Sequence, residues 1–248
     1  MWNPASYDQH SQVQFGLAQE VLEQLDLTAV GSILDVGCGS GRVTAELAAR
    51  CPGARVVGVD LAPEMVDFAT RNYARPGLSF EVADAASLEF TPGFDLVCSF
   101  ACLHWLSDPP AAVARMGRLL NPGGLLRVQL GGQGNMAFWL DRVETLRSSP
   151  AWREAFAGFE MPWTFLGLEP FQRALTDLKV ERLELISRTG RLASRQAFKS
   201  WFEAGWRPYV ERLTELELES FTDQLLGDHE GEIEVPMVRV DLRARAGR

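Results

Sequence analysis

The stretch ILDVGCGSGRV, Ile33 to Val43, decides the fold. Ser32 to Val36 reads as a short buried strand that carries Asp35 near its end. From Arg42 to Arg50, Val43, Leu47 and Ala48 fall on one face, so a helix follows. Between the two stand Gly37, Gly39 and Gly41. A strand that turns through glycines into a helix lets a ligand press against bare backbone, because no Cβ stands in the way. The helix then aims its unpaired N–H groups and the positive end of its dipole at that ligand. The alternative is a tight strand–helix turn that holds nothing.

The spacing of the glycines narrows the choice of ligand. A dinucleotide fingerprint places a third glycine where Arg42 stands, and no Lys follows these glycines as a phosphate loop requires. With ILDVGCGSG nearly letter for letter, the chain resembles the class I S-adenosylmethionine-dependent methyltransferases. The resemblance implies that this loop, Asp35, Gly37, Cys38, Gly39 and Gly41 included, binds the methionine part of S-adenosyl-L-methionine.

Outward from the loop, strands and helices alternate. Phe15, Ala18, Val21, Leu22 and Leu25 recur at helical spacing in a first helix ending near Leu27. Tyr7, His10 and Gln14 precede or open it, either as a capping segment or facing the cofactor. Arg55 to Val59 is a second strand, and Ala62-Pro63-Glu64 opens the next helix. Leu78 to Ala83 and Phe94 to Phe100 are the third and fourth strands, and a helix from Pro109 to Leu120 precedes a fifth, Leu125 to Leu130. This predicts an α/β fold, a doubly wound sheet with ligands at the carboxyl ends of its strands.

Beyond Gly131 the alternation fades. Residues 134–175 read as helical and aromatic, with Trp139, Trp152, Trp163 and Phe171 among them. Lys179 to Arg188 and Glu234 to Arg245 read as two last strands. The family resemblance implies a seven-stranded, mostly parallel sheet in the order 3-2-1-4-5-7-6. The domain reading is residues 1–29 as a capping segment and helix, 30–131 as the Rossmann-like cofactor core, and 132–248 as a helical, aromatic-rich lid with the last two strands.

Several residues at the predicted strand ends suit a nucleoside. Asp60 follows the second strand, and a carboxylate can accept from both hydroxyls of a ribose diol. Leu61 and Met65 would lay apolar surface on the ribose or adenine. In VADAASL, Asp84 stands where the family's second motif accepts from the adenine amino group, and Ala85 would offer its N–H. Ser99 and Phe100 would lie beside the cofactor through their backbone. His104 and Trp105 follow the fourth strand, close to the reactive methyl. His104 is either a chemical participant or a satisfied structural histidine, and Trp105 would wall the pocket.

Composition bounds the partners. With 248 residues, 46% of them hydrophobic, the chain can bury one sizeable core. A net charge of −9 argues against a nucleic-acid partner. Cys38, Cys51, Cys98 and Cys102 form no C-x-x-C pair, so neither a metal nor a disulfide framework is expected. Without an apolar run of membrane length or a cleavable leader, the expectation is a cytoplasmic protein with no membrane partner, a monomer or weak homodimer.

A less specific resemblance concerns the acceptor. The opening WNPASY, ACLHWLSDP and the late WFEAGWRPYVERLTELE look like the trans-aconitate methyltransferase group. The L-H-W segment also resembles insect juvenile-hormone-acid methyltransferases, and the layout that of the malonyl-carrier-protein methyltransferase. All three methylate carboxylates. A carboxylate wants an arginine, ideally two-pronged: Arg207 is the first choice, ahead of Arg191 and Arg142, with a surface role for Arg207 as the alternative. Trp139 and its aromatic neighbours would hold a largely apolar substrate body or form the lid's own core. The expected function is methyl transfer to a small-molecule acceptor, a carboxylate first. Another small-molecule nucleophile (hydroxyl, amine or carbon) and a non-methylating cofactor-binding protein are the alternatives.

Overall fold

A computed structural model of the chain describes Pro4, Asp8, residues 12–91 and residues 93–247. In chain order its elements are α1 (Gln12–Leu22), β1 (Ser32–Val36), α2 (Arg42–Arg50), β2 (Arg55–Asp60), α3 (Pro63–Tyr73), β3 (Leu78–Val82), β4 (Phe94–Phe100), α4 (Pro109–Gly117), β5 (Leu120–Gly131) and α5 (Ala137–Arg147). Then follow α6 (Leu168–Ala174), β6 (Leu178–Leu192), α7 (Arg195–Gly205), α8 (Arg207–Val210), α9 (Glu215–Leu226) and β7 (Ile233–Ala246). The strands form one seven-stranded sheet in the order β3-β2-β1-β4-β5-β7-β6. β1 to β5 pair in parallel, and β7 runs antiparallel to β5.

The elements form for local reasons. β1 is buried at all five positions, as a central parallel strand must be. Pro63 starts α3 with Glu64 in its first turn, and the Asp108 carboxylate caps α4 by accepting the Ala111 N–H at 3.1 Å. Thr214 and Glu217 close a reciprocal capping box on α9. Alternate strand residues feed two cores. Leu34, Val36, Val97, Leu126, Val128 and Val240 enter one, while Ile33, Val56, Leu96, Cys98 and Leu125 enter the other, on the opposite face of the sheet.

The chain resolves into two compact units. One runs to Gln133 and takes in Trp163–Ile186 and everything from Arg239 onward; the other comprises Gly134–Pro162 and Ser187–Val238. Of residues 134–175, only α5 and α6 are helical, and Trp163, Phe165 and α6 fold with the first unit. Leu166 forms a bridge to Gly132, and Phe171 and Leu175 join the core beneath α4. The second unit has its own aromatic core, in which Trp152 meets Phe221 at 5.1 Å and Phe202 stacks on Trp206 at 5.0 Å. Among the described residues, no helix is long and apolar enough to cross a membrane.

Candidate active site

The glycine loop is pinned by backbone. The N–H groups of Gly37 and Cys38 both donate to the Val59 carbonyl, at 2.7 and 2.9 Å, and that of Gly39 donates to Asp60 Oδ2 at 2.9 Å. Gly37, Gly39 and Gly41 have φ values of 76°, 53° and 83°, in the left-handed region that side chains resist. A Cβ at Gly37 would stand inside the Cys102 side chain, and one at Gly41 would lie 2.6 Å from Ala69 and 2.9 Å from Phe80. Gly41 therefore supplies the close packing that a dinucleotide loop obtains one residue later. The Arg42 guanidinium, in that later place, lies over the Phe15 ring at 3.6 Å. Phe15, Asp35, Gly37, Gly39 and Phe100 help to line a cavity of about 60 Å³ against the loop. That volume holds a group the size of a carboxylate or an ammonium, about two waters' worth of space.

Three carboxylates accompany the loop. Asp35 is 2% exposed and accepts from Thr44 Oγ1 at 2.6 Å and from Cys98 Sγ at 3.8 Å. Burial pushes its pKa up to about 6, against the pull of those two donors. Asp60 takes the Gly39 N–H on one oxygen and the Ala62 N–H, at 3.0 Å, on the other. Burial raises its pKa too, beyond what those N–H groups offset. Asp84 caps the short turn Ala85–Ser87 by accepting the Ala86 N–H at 2.8 Å. Beside Asp60, Leu61 is 64% exposed, and Val82, opposite Asp60 in the β2–β3 register, is 54% exposed. Met65 and Ala85 are buried.

The end of β4 makes a second cluster. Ser99 is buried in the strand, and Ala101 turns the chain at φ 54°, held by its N–H to the Gln129 carbonyl at 2.8 Å. A non-glycine residue keeps that conformation only where its surroundings fix it. The short turn Leu103–Trp105 follows. His104 Nδ1 accepts the Gly131 N–H at 3.3 Å, and its ring lies 5.7 Å from Phe165. Burial, and then the Arg239 charge, lowers the His104 pKa to about 3. The imidazole is neutral, and with Nδ1 accepting, its proton sits on Nε2. Trp105 meets Trp163 edge-on at 5.4 Å. Burial raises the thiols of Cys38, Cys98 and Cys102, which stay protonated and unbridged.

Asp35, the glycine loop, Asp60, Asp84, Phe100 and His104 thus come to one edge of the sheet within the first unit. Trp139 and Arg207 belong to the second. Trp139 is buried there, with its indole N–H donating to the Glu234 carbonyl at 2.9 Å and its ring 4.5 Å from Phe198. Arg207 opens α8 and pairs with Glu211 at 3.1 Å. Arg142 donates to the Leu225 carbonyl, and Arg191 pairs with Glu232 and Glu234. Tyr7 and His10 lie outside the described residues. So does the Gln14 side chain, though α1 carries its backbone. Among the described residues, no group of three or more His, Cys, Asp or Glu could hold a metal ion.

Two residues of this edge escape a reading of the sequence. Val82 precedes the acidic motif and looks there like one more buried strand residue; its exposure comes from its place at the end of β3. Arg239 is 5% exposed on β7, opposite Gly131. Its only sequence signal is a charge alternating with apolar residues along β7, one it shares with Asp241, Arg243 and Arg245.

Known proteins bear out the family. A family described as a methyltransferase domain matches residues 33–124. Trans-aconitate 2-methyltransferase of Shigella flexneri serotype 5b (strain 8401) is 32% identical over 224 residues, covering 89% of this chain and 85% of the relative. The enzyme of the same name from Escherichia coli (strain K12 / DH10B) is 32% identical over 229 residues, with the same coverage. Among solved structures, phosphoethanolamine N-methyltransferase 2 of Haemonchus contortus, in complex with S-adenosyl-L-methionine, is similar with a TM-score of 0.61. It is 18% identical, over 99% of this chain and 57% of that one.

Proposed function

The chain belongs to the class I S-adenosylmethionine-dependent methyltransferases, and from that premise we propose that it O-methylates a carboxylate of a small molecule. The residues present fit the cofactor. The loop offers bare backbone and a cavity sized for a carboxylate or an ammonium, and Asp60 at the end of β2 and Asp84 just after β3 lie beside the exposed Leu61 and Val82 in the chain. On this reading Gly37 to Gly41 and Asp35 border the methionine end, and Asp60 accepts from the ribose hydroxyls. Asp84 and the Ala85 N–H meet the adenine, between Leu61 and Val82. When bound, S-adenosylmethionine supplies an electrophilic methyl carbon whose sulfur leaves with the bonding pair as an acceptor oxygen takes the methyl, and no proton moves.

The observation that carries the carboxylate reading is the state of His104. Held neutral down to about pH 3, with Nδ1 already accepting from Gly131, it is poorly placed to take a proton from a hydroxyl or ammonium acceptor. A carboxylate arrives ionised, at a reference pKa of about 4. The His104 Nε2–H then serves as a donor that orients the acceptor, beside the Trp105 wall. The names of the relatives, which act on trans-aconitate, support the same class.

Turnover of S-adenosylmethionine across a panel of carboxylic acids tests it, from fumarate and trans-aconitate to long-chain and aromatic acids. We expect turnover with at least one acid, and its loss in Asp60→Ala together with weaker cofactor binding by about 100-fold, the scale of two lost charge-assisted hydrogen bonds. Cofactor binding without turnover of any acid would point instead to a hydroxyl, amine or carbon nucleophile, or to a non-methylating protein.

A further inference from the structure

The sheet is open, and its two edges are unequal. One ends on β3, five residues long, and the other on β6, fifteen residues long, with no strand beyond it among the described residues. An edge strand offers a row of backbone N–H and C=O groups to any extended chain, and edges are commonly blunted by shortness, proline, bulges or inward-pointing charge. β6 is long, contains no proline and has its one glycine at Gly190, near its end. Val180 and Leu185 are 40% and 38% exposed on it, so apolar surface lies beside the open backbone.

The charges on this edge say what covers it. When two copies of one strand pair antiparallel, the two-fold axis stands perpendicular to the sheet. Each residue then keeps its face, and only positions an even number apart lie opposite. In Val180–Ile186, VERLELI, an axis on Glu181, Arg182 or Glu184 opposes like charges. An axis on Leu183 sets Leu183 against itself, Val180 against Ile186 of the second copy and Arg182 against Glu184 of the second copy. By symmetry each unlike pair occurs twice, and apolar and opposite-charge pairs directly across are the ones that stabilise a sheet. Arg182 Nε already leans to Glu184 Oε1 at 3.5 Å within its own strand, while its Nη1 holds Asp241, and the pairing leaves that second contact in place. We propose that two copies of the chain pair here, β6 against β6 about an axis at Leu183, joining two seven-stranded sheets into one.

Sedimentation equilibrium of the full chain, up to about 100 μM, is the first test. We expect a dimer with a Kd of about 1–10 μM. Glu184→Arg, which sets an arginine against Arg182 at two places, should weaken it by about 10-fold or more, with cofactor binding by calorimetry unchanged. Cysteine cross-linking then fixes the register. Directly opposed Cα atoms lie about 4.5–5.5 Å apart, within disulfide reach. Leu183→Cys, on the axis, should therefore form a covalent dimer on mild oxidation, and Lys179→Cys, off the axis, should not; the unaltered chain sets the background. A chain that stays monomeric throughout the range overturns the proposal, and this arm needs no variant to fold. So does a dimer that Glu184→Arg leaves as tight, or one that Lys179→Cys cross-links as readily as Leu183→Cys.

Discussion

Asp35 and His104 show how burial sets chemistry one side chain at a time. Asp35 has its pKa raised to about 6 by burial, above the 3.8 of an exposed aspartate. At low pH it is neutral in both the folded and the unfolded chain. Between pH 3.8 and 6 the unfolded chain ionises first, so stability falls as pH rises, and above 6 the full penalty stands. Asp35→Asn keeps an acceptor for Thr44, so it should raise stability at pH 8 by about 1–3 kcal/mol, with the gap closing towards pH 4. Urea denaturation of the two proteins at several pH values measures this, and a gap independent of pH would show that Asp35 carries no such penalty. His104, by contrast, should leave methyl transfer flat between pH 6 and 9. His104→Gln, which restores a donor near the Nε2 position, should retain more activity than His104→Phe; equal loss in both would rule out the donor role. The position of both residues could be read from the sequence, since Asp35 lies near the end of β1 and His104 follows β4. Their protonation states could not, because each is set first by burial in the folded chain, with Thr44 and Cys98 donating to Asp35 and the Arg239 charge acting on His104.

The strand–helix units are where the sequence spoke most clearly. Periodicity is local, so β1 to β5 and their helices could be read within a few residues of where they lie. The loop's glycines also announced themselves, but the task of each did not. Gly41 is fixed by Ala69 on α3 and Phe80 on β3, neither of them a sequence neighbour. Gly41→Ala would force a side chain into a left-handed backbone at φ 83° and into contact with both. We expect a loss of about 2–4 kcal/mol from backbone strain and overpacking together, seen as a lower urea midpoint with little change in slope. A variant within about 0.5 kcal/mol of the parent, the range of an ordinary surface change, would mean that α2 shifts freely and that the packing is not tight. β6 was harder to delimit because it is an edge strand, mostly exposed, with charged residues in place of a clean alternation.

At the scale of the whole molecule, the sheet is completed only when β7 returns to lie against β5, more than a hundred residues after that strand. The order of the strands follows from the family resemblance, but the pairing register that brings Arg239 to Gly131 has no local signature. Arg207, Arg191 and Arg142, the arginines chosen from the sequence, belong to the second unit, and Arg239 to the first. The same return is locked by charge. Arg127 on β5 pairs with Asp241 on β7, both side chains almost wholly buried, and Arg182 reaches the other Asp241 oxygen at 3.1 Å. Burial alone would raise the Asp241 pKa, yet the hydrogen bonds and charge of Arg127 leave it lowered. The Asp241 contribution is therefore complete above its unfolded pKa of 3.8 and is lost as pH falls through the lower folded value. Asp241→Ala strands the Arg127 guanidinium in the sheet and should cost about 3–5 kcal/mol at pH 7. Removing both partners, as Arg127→Met with Asp241→Leu, leaves no orphaned charge and should recover most of that loss. A double-mutant cycle by urea denaturation decides the matter. If the double variant is as unstable as the sum of the single ones, the pair does not act as a unit, and apolar packing alone holds β7 to β5.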